Sequence, residues 1–188
     1  MPKRIRIKSD SNIHFVTFAV YQHVPVFRNS VFAEEFLNNL RYYCNKRRCK
    51  LFAFVIMPHH VHLLLELQSQ ENISDFIRDV KKYFSYKVKN LLLGKTNFNP
   101  ESFNAKGRFQ FWERGFDEVT IITEKMFWVK LKYIHNNPVK EGIVDKAEDY
   151  LYSSAGRKDF IFYRQICRFA GRVWSFADHD YGGLRTEN

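Results

Sequence analysis

His60 and His62 stand two residues apart at the head of an apolar run, Val61 to Leu67, that reads as a β-strand. Side chains alternate across a strand, so both imidazoles point to one face. Two neutral imidazoles converging in this way are natural metal ligands. The competing explanation is a pair of core histidines, each satisfied by its own hydrogen-bond partner. His59 points elsewhere or sits in the turn. Tyr133 and Asn137 form a second constellation, four residues apart and so on one helix face. A tyrosine at such a place is either a covalent nucleophile or a packing aromatic. The Asn137 amide oxygen can complete an oxygen-and-imidazole site of the kind that holds Mg²⁺ or Mn²⁺. Pro138 disfavours helical geometry at Asn137, so the helix is expected to end near Asn136. Cys44, Cys49, His60 and His62 also make four possible zinc ligands. The cysteine spacing is loose, however, and His-x-His is shorter than finger spacing, so no structural zinc is expected.

These residues need elements to hold them. Ile13 to Tyr21, rich in Val, Phe and Thr, predicts a strand. Ser30 is the expected N-cap of a helix running to about Arg47, with Phe32, Phe36, Leu40 and Tyr43 on one face. Leu51 to Met57 and Val61 to Leu67 predict a hairpin turning at Pro58 and His59. A helix follows from about Ile73 to Leu93, burying Phe76, Ile77, Val80, Phe84 and Val88. Arg78, Lys81, Lys82, Ser85 and Lys89 fall on its other side, either as a solvated face or as a nucleic-acid contact. Gly94 to Gly107 reads as a polar loop and Arg108 to Phe116 as a strand. Thr123 caps the next helix, with Ile122 and Phe127 placed as a hydrophobic staple. The order β-α-β-β-α-β-α predicts an α+β fold. Its plan is ferredoxin-like: an antiparallel sheet with helices packed on it, and the Tyr133 helix after the last strand. Residues 1–154 are expected to form the working domain and 155–188 a partly helical tail.

Bulk properties agree with a folded, DNA-facing chain. The 188 residues carry 45% hydrophobic and 17% aromatic side chains, which is ample for a core. A net charge of +10 suits a polyanionic partner, and nineteen Phe and ten Tyr among the cations suit single strands. Three cysteines without regular spacing give no disulfide framework. Met1 to Ser9 lacks an apolar signal core, and no apolar run nears the roughly 20 residues of a membrane span. A cytoplasmic setting is therefore expected.

Four runs, taken together, resemble a known family. Phe54-Val-Ile-Met-Pro-His-His-Val-His-Leu-Leu-Leu65 looks like the His-hydrophobic-His signature of the IS200-like tyrosine transposases. Tyr133-Ile-His-Asn-Asn-Pro-Val-Lys-Glu-Gly-Ile-Val144 resembles the tyrosine-helix signature of their REP-associated branch. Phe111-Trp-Glu-Arg-Gly-Phe116 and Tyr150-Leu-Tyr-Ser-Ser154 are similar to that branch too. The resemblance spans Ile13 to Ser154. It implies a ferredoxin-like fold, divalent metal on His60 and His62 with Asn137 as third ligand, and Tyr133 as nucleophile. Two departures stand out: His59 occupies a place where the family commonly has Asn, and Glu118 one where many members have His.

The resemblance further implies a metal-dependent enzyme, using Mg²⁺ or Mn²⁺, that nicks and rejoins single-stranded hairpin DNA through a 5′-phosphotyrosine. Lys81, Lys82, Arg114, Arg4 and Arg6 are the candidates for backbone contacts. Related insertion-sequence transposases are typically dimers with the tyrosine acting in trans, whereas the REP-associated branch acts as monomers; both states stay open at this point. Three rivals compete: a hairpin-binding protein that no longer cleaves, a metal-independent phosphodiesterase using the histidines as acid and base, and a structural zinc protein.

Overall fold

In chain order the elements are β1 (Ile13–Ala19), α1 (Ser30–Lys46), β2 (Lys50–Ile56), β3 (His60–Glu66), α2 (Ile73–Lys87), the two-residue strands β4 (Asn104–Ala105) and β5 (Arg108–Phe109), β6 (Asp117–Thr120) and α3 (Glu124–Lys140). The structure, a computed structural model, describes residues 11–89 and 100–157. Four strands form one sheet in the order β2-β3-β1-β6, and every neighbouring pair is antiparallel. This is the expected α+β architecture, with the tyrosine helix following the last strand. Among the described residues no helix is long and apolar enough to cross a membrane.

Both faces of the sheet are covered. Phe15 and Phe18 of β1 differ by an odd number of residues, so they point to opposite faces. Phe18 meets Phe36 of α1 and Trp112, within an aromatic cluster that also holds Phe27, Phe84 and Phe111. Phe15 faces the other way and meets Tyr133 of α3, at 5.8 Å between ring centroids. α1 and α2 thus bury one face against aromatic rings, and α3 lies over the other. β2 and β3 are nearly solid apolar runs because each is buried on both sides.

Local chemistry explains most boundaries, and several differ from expectation. The cap of α1 is Asn29 rather than Ser30: the Asn29 side-chain oxygen accepts from the Val31 N–H. Asn72 caps α2 in the same way, and Thr123 caps α3 as expected. The staple does not form, because Ile122 is 57% exposed while Ile121 turns inward. The fourth strand of the sheet is Asp117–Thr120, not Arg108 to Phe116, of which only Arg108–Phe109 is strand. Phe111 and Trp112 sink into the cluster above, while their backbone meets the end of β1 only through an isolated bridge of Trp112 to Val20. Gly115 then takes a positive φ of 71°. The Lys81 ammonium claims two carbonyls of this stretch, donating to Glu113 O at 2.8 Å and Gly115 O at 2.6 Å. The Trp112 indole N–H donates back to the Lys81 carbonyl at 3.1 Å.

The C-terminal helix is the largest departure. α3 passes through Pro138 to Lys140 instead of stopping near Asn136. A proline removes one N–H and crowds the preceding turn, but here it falls in the last turn, where one bond is lost. Gly142, at φ 66°, closes the helix. Its N–H donates to Val139 O at 3.0 Å and that of Ile143 to Pro138 O at 2.9 Å. His135 anchors the middle of the helix through Ser154 Oγ at 3.0 Å. The expected end of α2 near Leu93 and the helical tail lie outside the described residues.

The Lys81 bonds make it a tie between α2 and the stretch before β6. Replacing it (Lys81→Met) is expected to lower stability by about 1–3 kcal/mol, since two carbonyls lose a charged donor. Lys82→Met, at an exposed position, is expected to change it by less than about 0.5 kcal/mol. Urea unfolding of the two variants measures the difference.

Candidate functional site

β3 presents His60 and His62 on one face, with ring centroids 4.6 Å apart. β1 supplies the floor: its register sets Thr17 opposite His62. Thr17 Oγ1 lies 2.7 Å from His62 Nδ1. Phe15 stacks on the His62 ring at 5.7 Å. α3 lays Tyr133 edge-on to His62 at 5.2 Å. The histidine pair and the tyrosine, 71 residues apart in sequence between His62 and Tyr133, therefore meet within a single chain.

The electrostatics suit a ligand rather than a proton carrier. Burial, with the neighbouring His60, pushes His62 down from the usual 6.5 to about 3. Burial, with His59 and His23, pushes His60 down to about 4. Both imidazoles are neutral at neutral pH. Their lone pairs are thus free of competing protons. The tautomer in which Nδ1–H of His62 donates to Thr17 leaves a lone pair on Nε2. That Nε2 is buried and has no hydrogen-bond partner among the described residues. A buried nitrogen without a partner is costly, and a metal ion would satisfy it. Orientation of the other ring nitrogen by a hydroxyl is the usual support for a histidine ligand.

Asn137 is 5% exposed. Because α3 continues through Pro138, Asn137 keeps helical placement one turn beyond Tyr133, on the same face. Two imidazoles and an amide oxygen are donor types that suit a divalent ion.

Other members of the site were not singled out from the sequence. Lys130 Nζ sits 4.3 Å from the Phe15 ring centroid and 5.8 Å from that of Tyr133. Lys140 Nζ is 5.3 Å from the Tyr133 ring. Their spacing of minus three and plus seven from Tyr133 is the signal that was available. Thr17 had none, since only strand register brings it to His62. His59 packs on His60 at 4.6 Å between centroids.

The other sequence candidates divide. Lys81 is half-buried, with its ammonium held by carbonyls, and burial pushes it down to about 8. Lys82 and Arg114 are exposed. Arg4 and Arg6 lie outside the described residues. Glu118, the departure from the family pattern, is engaged by His14 Nδ1 at 2.9 Å and by the Thr120 hydroxyl at 2.8 Å. Cys44 and Cys49 are buried thiols, and the Cys49 thiol is pushed up by its bond to Cys44 and by burial. They adjoin the Lys50–Glu66 end of the β2–β3 pair. The histidines stand at the other end, six residues or about 20 Å along β3, so the four-ligand zinc set is not assembled.

Sheet, histidine pair and facing helix together define an α+β protein that sets two imidazoles against a tyrosine on its C-terminal helix. The chain belongs to the IS200-like transposase family: the family profile described as "Transposase IS200 like" matches residues 7–137. It is similar to a protein of Haemophilus influenzae named as a REP-associated tyrosine transposase, 30% identical over 127 residues, which cover 67% of this chain and 70% of that one. It is also similar to the REP-associated tyrosine transposase of Escherichia coli, 26% identical over 138 residues, covering 70% and 68%. A solved REP-associated tyrosine transposase bound to a REP hairpin shares the fold, with a TM-score of 0.64, 21% identity, and coverage of 100% of this chain and 95% of that one.

The buried histidines set an acid limit on stability. Burial also pushes His135 from 6.5 to about 4. Below the unfolded value near 6.5, an unfolded chain takes up protons that folded His60, His62 and His135 refuse. Their contribution is therefore complete above about pH 6.5 and falls as the pH drops toward 4. Urea unfolding at stepped pH is expected to show this loss, with a shallower slope for His135→Gln.

Proposed function

We propose that this chain is a metal-dependent tyrosine transposase that nicks and rejoins single-stranded hairpin DNA. The observation that carries this reading is the convergence of Tyr133 on His62, whose buried Nε2 has no other partner. His60, His62 and Asn137 would hold Mg²⁺ or Mn²⁺. When bound, the ion polarises the scissile phosphate and offsets charge on its oxygens.

This chain's own residues do the rest. The Tyr133 Oη attacks phosphorus in line. The new Oη–P bond replaces the P–O3′ bond, leaving a 5′-phosphotyrosine and a 3′-hydroxyl. The phenolic proton departs as that bond forms, and the leaving 3′-oxygen takes up a proton, so charge balances. The covalent link keeps the phosphoester energy, and a later 3′-hydroxyl can reverse the step without ATP. Lys130 and Lys140 place two ammonium groups around the Tyr133 ring, where an incoming phosphate needs positive charge. The Tyr133–His62 contact lies within one chain, which supports action in cis by a monomer.

Exposed Lys82 and Arg114 remain the candidates for DNA backbone contacts, with Arg4 and Arg6. Lys81 is the least suited of the set, because its ammonium is already occupied. An open groove of about 640 Å³ lined by Ser85, Tyr86, Lys89, Gly107, Arg108 and Phe109 offers a further path. It combines rings for bases with cations for phosphates.

The main competitor is a protein that binds hairpins without cutting. The acid–base phosphodiesterase is disfavoured, since neither His60 nor His62 is the imidazolium that a general acid needs near pH 7. Incubation with hairpin DNA and Mg²⁺ or Mn²⁺, followed by a denaturing gel, separates the readings. A protein–DNA adduct is expected, lost with Tyr133→Phe and with chelator. An adduct that survives Tyr133→Phe would remove the nucleophile assignment, and hairpin binding with no adduct would favour the non-catalytic reading. Thr17→Val, which frees the His62 ring, is expected to weaken Mn²⁺ affinity by about 10–100-fold, measured by titration calorimetry.

A further inference from the structure

Beside the His60–His62 pair lies a second set of donors. His59, His60 and Glu141 each bring a ligand atom to within 4.8 Å of the others. Among the described residues, no other three histidine, cysteine or acidic side chains are found to converge this closely. We infer that these three residues form an outer site for a divalent ion of the zinc class, sharing His60 with the His60, His62 and Asn137 set.

Helix and strand geometry build this site. Tyr133, Asn137 and Glu141 follow at four-residue steps, so they descend one face of α3. The Glu141 N–H donates to Asn137 O at 3.1 Å, which keeps it in the helical path. Opposite them the chain runs the other way, His62, then His60, then His59. Tyr133 meets His62 at one end, and Glu141 meets His59 and His60 at the other. The turn that carries His59 is pinned by its backbone. Val20 N–H donates to His59 O at 2.8 Å, Phe27 N–H to Pro58 O at 3.0 Å, and Met57 N–H to His60 O at 2.8 Å. The backbone that carries the two imidazoles is therefore held in place, while the Glu141 side chain is exposed. Bonds of about 2.0–2.2 Å to zinc would draw the three donors together from their present spacing.

The donor chemistry decides the ion. Two nitrogens and one carboxylate oxygen suit zinc-class ions. One carboxylate against a dication leaves the remaining positions to water. A neutral imidazole has a single ring lone pair, so His60 serves one site at a time. The outer site therefore competes with the inner one for His60, and occupancy by zinc withdraws His60 from the site proposed for Mg²⁺ or Mn²⁺.

The test uses the full-length protein and Zn²⁺ alone, without DNA. Histidine ring resonances are followed by ¹H–¹⁵N correlation as one equivalent of Zn²⁺ is added. His59 and His60 are expected to shift together. Glu141→Gln and His59→Asn, both at accessible positions, are each expected to weaken Zn²⁺ binding by about tenfold or more, with unchanged circular dichroism. A response confined to His60 and His62, or unchanged affinity in both variants, overturns the proposal. Zinc binding here stands whether or not Tyr133 forms an adduct with DNA, so the two readings fail separately.

Discussion

The rest of the site depends on one buried imidazole. His62 sits in the middle of a strand that is covered on both faces, held at Nδ1 by Thr17 and unpartnered at Nε2. Burial strips it of its proton at neutral pH, and Thr17 fixes its orientation. Such a group has two stable outcomes, a hydrogen bond or a metal. The side of the sheet that carries Phe15 and Tyr133 supplies no hydrogen bond to Nε2. The cost of that orphaned atom makes the sheet around it more than a scaffold.

The two sides of the sheet do different work. On one, Phe18, Phe27, Phe36, Phe84, Phe111 and Trp112 pack edge-to-face into a dense aromatic core. That core holds α1 and α2 and takes up Phe111 and Trp112 from the stretch before β6. On the other, α3 packs Phe127 on Phe52 and Tyr133 on Phe15, and brings its tyrosine, amide and carboxylate down a single line. Rigidity on the first side lets the second keep neutral histidines and flanking lysines in register. Placing a site on strands and a helix, rather than on loops, holds its geometry.

Lys81 shows how burial changes the meaning of a charged residue. Its neighbours on α2 made it one cation of a stripe, equivalent to Lys82. Folding separates the two completely. Lys81 becomes the donor that satisfies Glu113 O and Gly115 O, and Lys82 stays in solvent. Arg78 likewise spends its charge on Asp75 and Asp79. Charge periodicity locates a helix face, but only packing says which cations remain free for a phosphate.

Much of the fold was legible in local pattern, because alternation and helical periodicity are properties of short stretches. The strands β1 to β3, the three helices, the element order and the shared face of His60 and His62 all follow from such stretches. The motif runs that resemble IS200-like transposases also lie in the linear sequence, and the family match over residues 7–137 spans those from Phe54 to Phe116 and the start of the Tyr133 run. What the sequence left undecided depended on distant partners. Whether α3 survives Pro138 turned on the Gly142 closure and the anchor of His135 on Ser154. The true fourth strand was hidden because Phe111 and Trp112 answer to a core built elsewhere. Thr17 could be joined to His62 only by the register of β1 on β3. Tyr133 could be joined to His62, and Glu141 to His59, only by the path of a helix across a sheet. Those pairings cost nothing to state in sequence and are fixed only when burial chooses one packing.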